Sequence, residues 1–251
     1  MSKQQLTADL LVSNLKYLRL PFTCEHYTEM ANIAAQEEWS HLKFLNSLME
    51  GEAESRKDRA TKRRIHQARF PVIKTLDQFD WTWPKKINRL QVQNLFKLNF
   101  VKNQANVIFL GSVGLGKTHL VTALAYTACL NGSTVLFTTA IDVINSLSSA
   151  QETGRFQQEL KKYLKPELLV LDELGYLPID KHGADLLFQV ISHRYERGSV
   201  VISTNRAFKN WPEIFNNDAT LTSAILDRLL HHAETVVIEG PSYRMKDVVD
   251  S

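Results

Sequence analysis

Apolar residues in the N-terminal part of the chain recur three or four positions apart. This spacing runs through residues 6–49 and is the period of an amphipathic α-helix. Pro21 lacks a backbone donor and disfavours helix at the residue before it, so a first break falls there. A second, vaguer break falls at residues 36–40, and Gly51 does not interrupt the helix formers that continue to residue 67. The pattern predicts three helices, of which the last is long.

Beyond about residue 105, short apolar runs alternate with helical patterns. The runs are nearly all apolar, which is typical of parallel strands covered by helices on both faces. Strands are predicted at residues 106–110, 134–138, 168–171, 200–203 and 235–238. Helices are predicted at residues 117–130, 141–150, 155–164, 184–197 and 221–231. The fold class is therefore α/β, with five core strands in a parallel sheet and flanking helices.

A third kind of segment connects these two regions. Residues 68–84 contain two prolines and several aromatic side chains without a clean period, which indicates an ordered segment that packs between domains. We expect a small all-helical N-terminal domain at residues 1–67, a connecting collar at 68–104 and the α/β domain at 105–251.

Composition narrows the class of protein. With 44% hydrophobic and 23% charged residues among 251, the chain resembles an ordinary soluble globular protein with a sizeable core. No segment approaches the roughly 18 apolar residues of a membrane span, and no secretory signal is visible, so we expect a cytoplasmic location and no membrane partner. Cys24 and Cys129 lie in apolar helical patterns, which favours buried thiols over a disulfide or a metal site.

Charge is concentrated in one place. The net charge of +3 permits a nucleic-acid partner without demanding one. Within the predicted basic helix at residues 52–67, the run at residues 56–64 carries six basic residues and a single acid, Asp58. Such a run is a solvated helix face, a strip that contacts nucleic-acid phosphates, or a contact for a partner protein. The basic residues are Arg56, Lys57, Arg59, Lys62, Arg63 and Arg64.

A glycine-rich loop follows the first predicted strand and opens a helix. Its pattern is Gly, four residues, then Gly-Lys-Thr, as in loops that bind nucleoside triphosphates. The glycines let successive N–H groups point at phosphate oxygens, and the helix N-terminus adds the positive end of its dipole. We expect ATP here, with Lys117 at the β- and γ-phosphates and the Thr118 hydroxyl on Mg²⁺. The loop comprises Gly111, Ser112, Val113, Gly114, Leu115, Gly116, Lys117 and Thr118.

Two acidic residues end the strand predicted at residues 168–171. The carboxyl ends of parallel strands meet at the ligand-binding edge of such a sheet, so Asp172 should lie beside the phosphates and hold Mg²⁺. Glu173 comes next and can orient and deprotonate the attacking water, a role that a hydrolase needs. The other interpretation of Glu173 is an ordinary acid at a helix N-terminus.

The strand predicted at residues 200–203 also ends in polar residues, Ser203, Thr204 and Asn205. The Asn205 amide can position water against the γ-phosphate if this strand lies between the other two strands of the site; otherwise it marks a plain strand-to-turn junction. No zinc pattern competes with the ATP site, since His231 and His232 are adjacent rather than four positions apart.

These motifs together carry a resemblance to a known family. The order of glycine-rich loop, Asp-Glu and strand-terminal Asn resembles the AAA+ ATPase module, in which Asn205 matches the first sensor. Residues 171–205 strongly resemble the IstB family of insertion-sequence ATP-binding proteins, and the similarity covers most of the chain, including residues 68–71 and 79–81. More distant relatives are DnaC-type helicase loaders and the DnaA initiator. Since only about a dozen residues follow the last strand, the AAA+ C-terminal lid is expected to be reduced or absent.

The resemblance implies further roles. Arg228 matches the arginine finger that reaches the nucleotide of a neighbouring subunit, and Arg244 is the best match to a second sensor arginine or is otherwise an ordinary surface arginine. The helices between the second and third strands resemble the extra element by which initiators and loaders hold DNA, although their mixed charge also suits a solvated helix. Their basic residues are Arg155, Lys161, Lys162 and Lys165.

The expected protein is thus a bacterial, DNA-associated ATPase that needs ATP and Mg²⁺. It self-assembles on duplex DNA as a ring or helical homo-oligomer and activates or targets a cognate transposase. The alternative within the same fold is a DnaC-like loader of a replicative helicase. A nucleotide kinase would use the same loop, but Glu173 and Arg228 argue against it.

Overall fold

The computed structural model describes residues 3–243 of the chain. The chain divides into two compact units, Met1–Arg63 and Arg64–Ser251. Among the described residues, no helix combines the length and the apolar character that a membrane crossing requires.

The smaller unit contains three helices, as the apolar spacing predicts. These are α1 (Lys3–Tyr17), α2 (Pro21–Gln36) and α3 (His41–Ala68). Only the residues of α3 up to 63 belong to this unit. Glu52 is buried on α3, and its carboxylate accepts a 3.1 Å hydrogen bond from the backbone N–H of Thr23 in the first turn of α2. The carboxylate therefore satisfies a donor that a helix N-terminus leaves free.

The larger unit is built on five parallel strands, which confirms the predicted fold class. They are β1, Asn106–Gly111, β2, Val135–Thr139, β3, Leu168–Leu174, β4, Ser199–Thr204, and β5, Ala233–Ile238. The strand order is β2-β3-β4-β1-β5. β3 extends three residues beyond its predicted end, and its pairing with β4 shifts register between Leu171 and Leu174.

Eight further helices follow α3 among the described residues. Five match predicted positions, although the helix at Lys181–Arg194 begins three residues earlier than predicted because Asp180 caps it by accepting from the Gly183 N–H at 2.8 Å. The three short helices at Arg89–Leu95, Asn99–Lys102 and Trp211–Ile214 were not predicted. The bounds are α4, Arg89–Leu95, α5, Asn99–Lys102, α6, Lys117–Leu130, α7, Ala140–Glu152, α8, Phe156–Leu164, α9, Lys181–Arg194, α10, Trp211–Ile214, and α11, Ala219–Leu230. Leu76–Gln78 and Phe208–Asn210 form 3₁₀ turns.

Two apolar cores cover the sheet. One joins it to α7, α8, α9 and α11, and the other joins it to α6 and to residues 68–104. Phe79, Val92 and Phe100 are buried in that second core. The segment predicted as a collar is therefore an integral layer of the larger unit.

One buried arginine links several backbone segments of the first core. The Arg194 guanidinium donates to the carbonyls of Tyr163, Pro166, Glu167 and Ser199 at 2.8 to 3.1 Å. Burial lowers its pKa to about 10, so it remains protonated at neutral pH. Arg194 thus joins the end of α8 to the starts of β3 and β4.

Candidate nucleotide site

The glycine-rich loop connects β1 to α6 at the carboxyl edge of the sheet. Gly114 and Gly116 adopt φ of 79° and 81°, a region that other residues occupy only at a cost. A Cβ on Gly116 would lie 2.7 Å from the Phe79 ring, so the loop also needs glycine for space. The main chain therefore curls as a phosphate cradle requires.

The two residues that open α6 carry the side-chain chemistry of the loop. Lys117 Nζ donates to the Ser112 carbonyl at 2.7 Å, which holds the ammonium over the loop. Thr118 Oγ1 donates to Asp172 Oδ1 at 3.3 Å. A hydroxyl and a carboxylate are hard oxygen ligands of the kind that Mg²⁺ uses beside substrate phosphates. These residues therefore fit the metal that the family resemblance implies.

Asp172, Glu173 and Ser203 form one hydrogen-bonded group. Asp172 is buried near the end of β3, and the buried Ser203 hydroxyl on β4 donates to its Oδ1. The same hydroxyl oxygen accepts from the Glu173 backbone N–H at 3.0 Å. Glu173 has a left-handed φ of 59° at the register shift of β3. Such a strained conformation at a candidate catalytic residue is held by its neighbours, here by Ser203.

Asn205 meets the condition that the sequence set for a water-positioning role. It directly follows β4, and β4 lies between β1 and β3 in the sheet. Asn205 borders the cavity beside the loop, and its Oδ1 is buried with no hydrogen-bond partner among the described residues. An orphaned acceptor at this position fits a donor supplied by water or ligand.

A cavity of about 510 Å³ lies at this polar edge. It is lined by the phosphate loop, Glu173 and Asn205, and by an aromatic wall of Phe79, Trp83 and Tyr243. The Trp83 and Tyr243 rings meet edge to face with centroids 5.6 Å apart. Polar loop and aromatic wall together fit a triphosphate and a purine base. The sequence did not reveal the wall, because its members come from residues 79–83 and from the far end of the chain.

Arg228 does not line this cavity. It lies on α11, where its Nη1 donates to the Ala224 carbonyl at 2.8 Å and its guanidinium lies 5.0 Å from the Phe188 ring centroid. Arg244 lies outside the described residues.

The basic residues of α3 differ in their contacts. Arg59 pairs with Glu52 at 3.2 Å, and Arg56 donates to the Arg19 carbonyl at 3.1 Å. Arg64 donates to the Cys129 carbonyl at 3.0 Å within the larger unit, and so has a structural role. The side chains of Lys57, Lys62 and Arg63 are exposed.

The basic residues of α8 are also unequal. Lys162 donates to Glu159 at 2.7 Å. Burial opposes ionisation of Glu159, but the hydrogen bonds from Lys162 and Tyr163 outweigh it and lower the Glu159 pKa. Lys162 is thus held within its own helix, while Arg155, Lys161 and Lys165 are exposed.

Comparison with known proteins adds sequence and fold relatives. The family model of the IstB-like ATP binding protein matches residues 13–251. An ATP-binding protein of insertion sequence IS232 from Bacillus thuringiensis is 39% identical over 98% of this chain and 96% of its own length. The corresponding protein of insertion sequence IS21 from Pseudomonas aeruginosa is 40% identical over 95% of this chain and 89% of its own length.

Solved structures share the fold at lower identity. A crystal structure of the DnaC helicase loader has a TM-score of 0.53 and 23% identity, covering 66% of this chain and 96% of that one. AMPPCP-bound DnaA from Aquifex aeolicus has a TM-score of 0.54 and 22% identity, covering 70% of this chain and 53% of that one. These similarities establish the AAA+ P-loop fold.

Proposed function

This chain belongs to the IstB-like family of ATP-binding proteins and is an ATPase, and from that premise we propose that it serves DNA transposition by assembling on duplex DNA and activating a transposase. The sequence relatives are named for insertion sequences, which supports the transposition setting. One observation carries the assembly mechanism. Within the described residues, the cavity holds the loop, Glu173 and Asn205 but is lined by no arginine.

Binding and hydrolysis follow from the residues at the carboxyl edge of the sheet. The loop N–H groups and the N-terminus of α6 hold the triphosphate, and Lys117 exchanges its contact with Ser112 for phosphate oxygens. Mg²⁺, when bound by Thr118 and Asp172, neutralises phosphate charge. Asn205 orients a water molecule, and Glu173 accepts its proton. The buried Ser203 hydroxyl keeps Glu173 in place.

The missing positive charge comes from a second copy of the chain. An arginine supplied from a neighbouring subunit stabilises charge at the transferring phosphoryl group, an effect of about 10³- to 10⁵-fold in rate. We assign this role to Arg228, whose guanidinium is presented on α11 outside its own cavity. Assembly then depends on the γ-phosphate, and hydrolysis dissolves the contact. ATP is thereby a signal for assembly.

Duplex DNA binds along the basic face of α3. Lys57, Lys62 and Arg63 are exposed there, and each phosphate contact releases counterions. Successive chains of a ring or filament would repeat this face along the DNA. Arg64 does not belong to this set, because its guanidinium contacts the Cys129 carbonyl.

Charge reversal tests the DNA part of the proposal. Lys62→Glu with Arg63→Glu should abolish ATP-dependent binding of duplex DNA, measured by fluorescence anisotropy across a salt titration. The matched control is Lys97→Glu with Lys102→Glu, two exposed lysines of the larger unit that make the same change in net charge. Equal binding by both double variants would remove α3 from the DNA interface.

A pull-down with purified partners tests the transposase part. The chain with ATP and duplex DNA should retain the transposase encoded by the same element, and omission of ATP should abolish retention. Retention of a replicative helicase instead, with preference for single-stranded DNA, would favour the loader alternative that the DnaC fold similarity permits.

A further inference from the structure

Three potential metal ligands meet on the surface of the larger unit. One ligand atom each from Glu196, His231 and His232 lies within 4.8 Å of the others. We propose that this group binds a Zn²⁺ ion, at a site separate from the nucleotide cavity. Two imidazoles and one carboxylate form a ligand set that suits zinc and leaves a fourth position for water.

The two turns that carry these ligands are fixed by the backbone. Glu196 lies in the turn between α9 and β4 with a left-handed φ of 56°. The Arg194 carbonyl accepts hydrogen bonds from the backbone N–H of Arg197 at 2.9 Å and from that of Gly198 at 3.1 Å. The buried Arg194 side chain is itself held by four carbonyls. The carboxylate is therefore presented from a rigid turn.

The histidine turn is anchored in a similar way. Asn106 at the start of β1 donates its backbone N–H to the His232 carbonyl at 2.7 Å and its side-chain amide to the Leu229 carbonyl at 3.0 Å. His231 immediately follows α11, whose C-terminus carries the negative end of the helix dipole and favours a cation. Although His231 and His232 are adjacent in sequence, their rings do not point apart, since the ring centroids lie 4.1 Å from each other.

Tyr195 links the two turns through a hydrogen bond to one of the imidazoles. Its Oη lies 2.8 Å from His231 Nδ1. When Nδ1 carries the proton and donates to the phenol oxygen, the lone pair of Nε2 is left for a metal ion. Tyr195, which precedes Glu196, thus orients His231 in the same way that hydrogen-bond partners of metal ligands commonly do.

The distances require only side-chain movement. Bonds of about 2.0 to 2.2 Å in a tetrahedral site place ligand atoms about 3.3 Å apart. The three side chains are exposed, so their rotamers can close the remaining gap. Near the group in sequence, Arg197 and Arg228 add positive charge, whereas Asp227 adds negative charge to that of the ligand Glu196. Arg228 precedes His231 by three positions, which puts the metal site on the surface assigned above to subunit contact.

Zinc titration of the full chain, prepared without a histidine tag, tests the proposal independently of ATPase activity. Isothermal titration without nucleotide and with millimolar Mg²⁺ keeps the oxygen ligands Thr118 and Asp172 from capturing zinc. The wild type should bind one Zn²⁺ per chain, and Co²⁺ should give the visible absorption of a four-coordinate site. His232→Ala and Glu196→Gln should each lose this binding without a change in melting temperature.

His193→Ala is the matched control. His193 is also exposed on α9, but its Nδ1 hydrogen bonds to the Gln189 carbonyl at 2.8 Å and it lies outside the group. This variant should retain the zinc site, while Tyr195→Phe should weaken binding about tenfold. Absence of binding by the wild type, or equal stoichiometry in His232→Ala, would overturn the site. Full affinity in Tyr195→Phe would overturn the role of Tyr195.

Discussion

Ser203→Ala tests whether the hydroxyl between β3 and β4 sets the catalytic geometry. The buried hydroxyl donates to Asp172 and accepts from the Glu173 backbone N–H. Removing it deletes a hydrogen bond to a carboxylate, worth about 1.5 to 3 kcal/mol, and strands a backbone donor. We expect a loss of about 2 to 4 kcal/mol in the free energy of unfolding.

The effect on turnover should exceed the effect on binding. Glu173 holds a left-handed φ of 59° against this hydroxyl, and a displacement of about 1 Å at a reacting group can cost about 100-fold in rate. The loop N–H groups and Lys117 hold the triphosphate, whereas Ser203 hydrogen bonds to Asp172 and Glu173. The KM for ATP should therefore change by less than about threefold while kcat falls about 10- to 100-fold.

Phosphate release under steady-state conditions and urea unfolding measure the two effects. Ser192→Ala is the matched control, because the Ser192 hydroxyl is buried on α9 without a hydrogen-bond partner among the described residues. It should leave both kcat and stability nearly unchanged. A general loss of folded protein would also lower the apparent kcat at unchanged KM, so rates are normalised to the folded fraction that the urea curve gives. If Ser203→Ala then retained the wild-type kcat, the positioning role would be wrong.

Three further predictions concern other residues. Glu173→Gln should lower ATP hydrolysis at least about 100-fold in a phosphate-release assay, while equilibrium binding of a fluorescent ATP analogue persists. The control Glu213→Gln, at an exposed glutamate, should have no effect. Retained hydrolysis in Glu173→Gln would refute the general-base role. Arg194→Ala should lower the free energy of unfolding, measured in urea, by more than about 3 kcal/mol, because four carbonyls lose their donor. The control Arg155→Ala should change this free energy by less than about 0.5 kcal/mol. Equal stabilities of the two variants would refute the linking role of Arg194. Burial raises the Cys129 pKa to about 11, so mass spectrometry after iodoacetamide treatment at pH 8 should find Cys129 unmodified in the folded chain and modified in urea; rapid modification before unfolding would contradict its burial.

The sequence predicted those features that depend on local pattern. The strands, the glycine-rich loop and Asp172 follow from apolar runs, residue types and the topology of parallel sheets. The short helix α4 was missed because seven residues are too few to show a helical period. Even so, Asn88 signals its start by accepting from the Gln91 N–H at 3.0 Å.

Other features depend on contacts between distant residues and were inaccessible to sequence pattern. The role of Ser203 requires the register of β3 against β4, including its shift between Leu171 and Leu174. Arg194 resembles a surface residue in the last turn of α9, and only the fold shows it to be buried. The zinc ligands come from positions 196 and 231–232, which the pairing of two turns brings together.

In the proposed assembly, each ATP site is completed by Arg228 of a neighbouring chain. Assayed alone in the presence of duplex DNA, Glu173→Gln and Arg228→Ala should each abolish ATP hydrolysis, because each lacks one part of the composite site. Mixed in equal amounts, they should regain hydrolysis, since some sites combine an intact Glu173 with an intact Arg228. Random mixing gives one such interface in four, so activity should reach about a quarter of the wild-type value.

This complementation assay, followed as phosphate release against the fraction of each variant, is the most direct measurement. A shared site should give a bell-shaped curve with its maximum at equal amounts. A flat line at zero, or substantial activity of Arg228→Ala alone, would contradict the shared site.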